Sequence, residues 1–235
     1  MEDFAELLKK RENKIFFYKR EHRYTLNFKE YTSVTKYIES KKKANKDFFY
    51  QQKFNITGSD FDLIKGTKEV KDVFEKWDEC QMKGINKHNI IEKGLKSYKP
   101  GVKTEDKILS PIYNYLDEQK FDKFFIERKI YTEVEIAGIF DFLGFRGEEI
   151  VLIDWKTCKK LWYSSKLKMH EPFSSLDDCN YNHYAIQLCL YKYILEKEYK
   201  LKNIIMKIII IKDDNTLEEI VIPQEFYDKN KAFKY

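Results

Sequence analysis

Residues 150–157, Ile-Val-Leu-Ile-Asp-Trp-Lys-Thr, constrain the fold of this chain more than any other stretch. Four aliphatic residues in a row, 150–153, mark the segment as an apolar strand that runs into the core. Asp154 and Lys156 are two apart and therefore leave the same face. A carboxylate and an ammonium on such a strand are costly unless they pair with each other or with an ion. Two further strand-like segments precede it, 124–131 and 134–145, and the second contains Gly138-Ile139-Phe140-Asp141. If 134–145 and 150–157 form a hairpin, Asp141 approaches Asp154. Two carboxylates that close repel each other unless a cation lies between them, and oxygen ligands suit Mg²⁺.

The rest of the chain supplies helices for this sheet. Residues 14–18 and 22–28 read as two short strands around a charged turn. Ser33 is placed to cap a helix running into Lys41-Lys42-Lys43. Val70, Val73, Phe74 and Trp77 mark a helix over 67–83. A second helix is expected from Gly84 to a stop at Gly94 or Pro100, and a third over 104–119 with Ile108, Ile112, Tyr115 and Leu116 on one stripe. After a long connection, 181–199 reads as an amphipathic helix, followed by strands at 202–212 and 217–222 around Asp213-Asp214-Asn215. The expected fold is α/β: a mixed central sheet flanked by helices, with a helical N-terminal half. One domain is expected over 1–235. It divides into a mostly helical part with an N-terminal hairpin (1–120), an α/β core (121–222) and a C-terminal helix or tail (223–235).

Composition excludes several classes. Gly (8) and Pro (4) are scarce and aromatic residues make up 16%, which excludes a disordered or collagen-like chain. The strongest apolar run, 204–211, is interrupted by Lys207 and is far shorter than the ~20 residues of a membrane span. The first residues lack a secretory signal, and Cys80, Cys158, Cys179 and Cys189 show no CxxC pair, so an intracellular protein with reduced thiols is expected. The net charge of +5 is compatible with nucleic acid. Only five of the 44 basic residues are Arg, which favours contact with phosphates over base readout.

Two helical spacings add to the strand acids. Gln187 and Tyr191 lie at i, i+4 and share a face, and Gly84, His88 and Glu92 are also four apart. Taken in order, Gly-x-x-x-His-x-x-x-Glu (84–92), Gly-x-x-Asp (138–141), Asp-x-Lys (154–156) and Gln-x-x-x-Tyr (187–191) resemble the PD-(D/E)xK nucleases. The upstream His and the Gln-x-x-x-Tyr pair are similar to the RecB-like exonuclease branch. The segment 22–35, with Tyr31-Thr32-Ser33-Val34-Thr35, resembles the mitochondrial genome maintenance exonuclease and related phage and viral proteins.

The resemblance implies a restriction-endonuclease-like core and a metal-dependent DNA exonuclease using Mg²⁺ or Mn²⁺ on single strands or DNA ends. It implies that Asp141 and Asp154 bind metal, with the Trp155 carbonyl as a further ligand, and that His88 is the upstream metal-binding histidine. The resemblance makes Glu127 the candidate upstream acid, with Glu133 and Glu135 competing for the place. Lys156 would hold or activate the attacking water and stabilise developing charge, and Gln187 and Tyr191 would orient the lysine and the DNA end. The cysteines lack the closely spaced trio of the iron–sulfur members, so no cluster is expected. A structure-specific endonuclease or resolvase, a catalytically silent DNA-end-binding protein, or a host-targeting interaction protein would share these features.

The connection 158–180 contains Lys159, Lys160, Trp162, Tyr163, Lys166 and Lys168. Basic and aromatic residues together suit a single-stranded path. The run 36–46 and the aromatics Phe16, Phe17 and Tyr18 fit that role less well, reading as a solvated helix face and a core strand.

Overall fold

The computed structural model describes residues 2–21, 23–158 and 160–231. Among these, eight strands join in one mixed sheet. Its middle consists of β4 (Lys123–Tyr131), β5 (Ile136–Arg146), β6 (Glu149–Lys156) and β7 (Ile204–Ile211), with β8 (Leu217–Ile222) beyond β7. β4 and β6 pair antiparallel with β5, while β7 runs parallel to β6. A parallel neighbour needs a long crossover, and α7 (Asn180–Tyr199) provides it. At the other end β1 (Ile15–Tyr18), β2 (Arg23–Leu26) and β3 (Lys29–Ser33) form a meander, and β3 lies parallel to the first two residues of β5.

The apolar run of β6 is covered on both faces. Ile150 and Leu152 lie in a core with α1 (Glu2–Glu12), α2 (Val34–Glu39), α7 and α8 (Gln224–Asn230), whose buried members include Leu8, Tyr37, Ile186 and Tyr227. Val151, Ile153 and Trp155 lie in a second core with Ile91 and Leu95 of α5 (Lys68–Ser97) and Ile112 and Leu116 of α6 (Leu109–Gln119). By parity, Asp154 and Lys156 continue the α7 face.

Several expectations are corrected. α5 is one helix of 30 residues, where a break was expected at Gly84. Its glycines serve packing: a Cβ on Gly94 would lie 2.3 Å from Leu109, so the residue lets the start of α6 close in. α6 begins at Leu109, not 104, because the Asp106 carboxylate takes the backbone N–H groups of Ile108 and Leu109 and ends the preceding turn there. α7 is not amphipathic. Leu188, Cys189, Leu190, Tyr191 and Lys192 are all buried, so successive faces meet protein. The sequence reading lacked α1, β3, α3 (Lys46–Phe54) and α4 (Gly58–Ile64). α3 and α4 pack on the N-terminal half of α5 through Tyr50, Phe61 and Val70. Ser33 does cap α2, accepting from the Lys36 N–H at 3.0 Å, although that helix stops at Glu39. His22 and the end of the C-terminal stretch, 232–235, lie outside the described residues. No helix among the described residues is long and apolar enough to cross a membrane.

Candidate active site

The acids meet where the pleat of the sheet changes phase. Phe140 and Leu143 of β5 lie in the same core three residues apart, and Phe125 and Ile130 of β4 lie there five apart. Odd spacings are incompatible with unbroken alternation. The shift falls at Glu127, whose φ is +50°, and at Asp141, which stands across from it between the pairs Ile126–Phe142 and Arg128–Phe140. The other edge of β5 is shared. Its first residues pair with β3, and β6 takes over from Phe142 onward. Asp141 thus sits in the fork where β3 and β6 diverge, and the β5–β6 register continued by one residue sets it opposite Asp154.

Asp141 and Asp154 each have a protein donor beside them. Asp141 Oδ2 accepts the Trp155 N–H at 2.9 Å and lies 3.6 Å from His88 Nε2, too far for a hydrogen bond but within ion-pair range. Asp154 Oδ2 lies 2.8 Å from Lys156 Nζ. Lys156 Nζ also donates to Gln187 Oε1 at 3.1 Å, and Gln187 Nε2 donates to the Tyr191 hydroxyl at 3.2 Å. A chain of contacts therefore runs Asp154–Lys156–Gln187–Tyr191. It ends on Gly138, where a Cβ would come within 2.5 Å of the Tyr191 ring. Only glycine lets that ring lie on the strand.

The electrostatics follow from burial and crowding. Burial, then the charges of Asp141 and Glu92, push the Glu127 carboxyl up to about 8. Burial and the neighbouring Asp141 push Asp154 up to about 6 against the opposing pull of Lys156. Burial would raise Asp141 too, but His88, Lys156 and the Trp155 N–H outweigh it and hold the group below its ordinary value. Burial works against the Lys156 ammonium, yet Asp154 and Asp141 more than compensate, and its pKa is raised. Asp141 likewise raises His88. Burial pushes the Tyr191 hydroxyl far above its usual value, so it stays neutral.

Among the described residues no three His, Cys, Asp or Glu side chains already enclose an ion-sized space. The donor set nevertheless fits a hard cation. Oδ1 of Asp154 and Oε1 of Glu127 are buried with no hydrogen-bond partner among the described residues. Unpaired buried carboxylate oxygens are costly, and a divalent cation with oxygen ligands is the partner that relieves them.

Of the three upstream acids, Glu127 is the one beside Asp141. Glu135 pairs with Lys29, and Glu133 is an exposed residue of the β4–β5 turn. Sequence reasoning missed Tyr184, whose ring lies 4.9 Å from Lys156 Nζ. Its position three residues before Gln187 was the available signal. In the connecting loop Lys159 lies outside the described residues. Lys160 Nζ stands 4.0 Å over the Trp162 ring, and Tyr163 packs on Tyr181 at 4.8 Å. Trp162 and Tyr163 are more than half exposed. The loop is anchored: Asn180 accepts the Trp162 N–H at 2.7 Å and donates to the Lys160 carbonyl at 3.0 Å.

A mixed sheet between helical layers, with a carboxylate–lysine site at a strand fork, defines a restriction-endonuclease-like protein. The family model of the PD-(D/E)XK nuclease superfamily matches residues 61–232, and the chain belongs to that superfamily. Its members are nucleases that act on nucleic acid and generally use divalent metals such as Mg²⁺ or Mn²⁺. No curated protein matches the chain. Among solved structures, the crystal structure of SSO0001 is similar at 14% identity and a TM-score of 0.35, over 96% of this chain and 81% of that one, too loose a likeness to carry an argument.

Proposed function

We propose that residues 1–235 form one nuclease domain of the RecB-like branch, a metal-dependent deoxyribonuclease that removes nucleotides from DNA ends or single strands. The observation that supports this reading best is the contact chain from Asp154 through Lys156 and Gln187 to Tyr191, set beside Asp141 in the strand fork. It joins in space residues that are up to 50 positions apart in the chain.

Asp141 and Asp154 are the residues that would hold Mg²⁺ or Mn²⁺, with Glu127, the Trp155 carbonyl and His88 as further ligands. The bound cation supplies positive charge for the phosphoryl oxygens and acidifies a water molecule. Lys156 orients the attacking water, and its ammonium stabilises the charge that grows on the phosphoryl group. Gln187 and the Tyr184 ring fix the position of Nζ. These two contacts would keep the lysine placed with a cation on Asp154, and neither neutralises its charge. Tyr191, kept neutral by burial, holds the Gln187 amide. Lys160, Trp162 and Tyr163 line the approach of a single strand, and Lys159 belongs to the same basic stretch.

The test is digestion of end-labelled linear DNA and closed circular DNA with Mg²⁺, Mn²⁺ or EDTA. Stepwise shortening of the linear substrate, abolished by EDTA, is the expected result. Cutting of closed circles would replace the exonuclease with an endonuclease, and no degradation in any metal would reject the reading.

A further inference from the structure

In the β1–β2–β3 meander Ile15, Phe17 and Tyr24 pack inward as the expected core strand, whereas Phe16 and Tyr18 make the outer face aromatic. Phe16 is 63% and Tyr18 44% exposed, and both leave β1 on the side away from the buried Ile15 and Tyr24. Residues two apart on a strand are about 6.7 Å apart, twice the ~3.4 Å rise per base of a stacked strand. Across from Tyr18 on β2, Arg23 lays its guanidinium 4.3 Å from the Tyr18 ring centroid. At the far end, the β2–β3 turn has Asn27 and Phe28 at φ +48° and +65°. The second place favours glycine, and a bulky residue there is strained. It carries instead a phenylalanine that is fully exposed. Burial does not explain that ring.

The row is continuous with the candidate site. Lys19, next to Tyr18, has Nζ 3.6 Å from a Glu92 oxygen, and Glu92 lies one helical turn from His88. Lys14, Lys19, Arg20 and Arg23 make the hairpin predominantly basic. Exposed rings interleaved with cations match the stacking and backbone neutralisation that bind single strands without sequence preference.

We infer that Phe28, Phe16 and Tyr18 form a base-stacking track for a single-stranded segment of the nucleic acid that enters or leaves the site. This inference rests on the nuclease reading above. It commits to a nucleic-acid strand, and not to a second copy of the chain, because of the basic charge and the junction at Glu92.

The test is the affinity of fluorescent dT20 and dT4, read by anisotropy in EDTA so that nothing is cleaved. Phe16→Ala and Tyr18→Ala are each expected to weaken dT20 binding about tenfold, to change dT4 binding less than twofold, and to leave the unfolding temperature unmoved. Phe28→Gly should weaken dT20 binding while raising the unfolding temperature, since it removes the strained turn residue. A dT20 carrying 5-iodouracil should crosslink to the peptide holding Phe16 and Tyr18. Unchanged dT20 affinity in all three variants overturns the track, as does a wild-type dimer in sedimentation that Phe16→Ala dissolves. Wild-type protein that binds dT20 through these rings yet never hydrolyses DNA in any metal would reject the nuclease reading and leave the track standing.

Discussion

Glu127 is the residue with the most consequential surroundings. In metal-free protein its carboxyl titrates near 8, against 4.5 for an ordinary glutamate, so the folded state holds the proton more tightly than the unfolded chain. The stability this contributes is complete below pH 4.5 and is lost as the pH rises to about 8. Asp154 behaves alike over the lower window, from 3.8 to about 6. In EDTA the unfolding temperature should therefore fall across this range, Glu127→Gln should remove the upper part of the fall, and Mg²⁺ should reverse it in wild type. A flat profile in EDTA would contradict the crowding of carboxylates at the fork. Gly138 gives a second test at this scale. Gly138→Ala places a methyl against the Tyr191 ring and within 3.2 Å of Val34. Overpacking of this kind costs about 1–3 kcal/mol, measurable by urea unfolding, and the same shift should slow hydrolysis by disturbing Gln187. The sequence carried Asp141, Asp154, Lys156, Gln187 and Tyr191 as ordered motifs. It carried Tyr184 only as a ring one helical turn before Gln187, and such an aromatic looks the same whether or not an ammonium lies over it.

The elements that were legible are those whose patterns come from burial on known periods. β4 to β8 and α7 read correctly in place because their apolar residues are dense and bounded by turn residues. α1, α3 and α4 bury few residues each; charged residues on α1 and α3 dilute the helical period, and α4 has only seven residues, too few for the period to register. β3 has an exposed first half and only five residues, too short for alternation to register. Gly84 reads as the start of a second helix and Gly94 as one of its possible ends, whereas in α5 their missing side chains admit Thr157 and Leu109. The loop between β6 and α7 reads as a single-strand path by composition alone; the anchoring of its backbone by Asn180 has no sequence pattern. Because Trp162 is 56% exposed, Trp162→Ala should leave the unfolding temperature within about a degree. It should weaken single-strand affinity about tenfold, the loss of one stacking platform. Unchanged affinity would take this loop out of the DNA path.

For the molecule as a whole, two helical layers press on a sheet whose central strand is apolar on both faces until its last residues. That burial fixes β5 against β6, the register then brings Asp141 opposite Asp154, and the crossover helix delivers Gln187 and Tyr191 from the layer above. Polar side chains on such a scaffold gain precision from packing that has nothing to do with chemistry. The central claim is that these residues act as one metal-dependent centre. Hydrolysis of linear DNA in Mg²⁺ by wild type, Asp154→Asn and Lys156→Gln, each checked for an intact fold by its unfolding profile, tests it most directly. Both variants should fall by at least about a hundredfold, as wild type does in EDTA. A folded Asp154→Asn or Lys156→Gln protein that keeps the wild-type rate would contradict it.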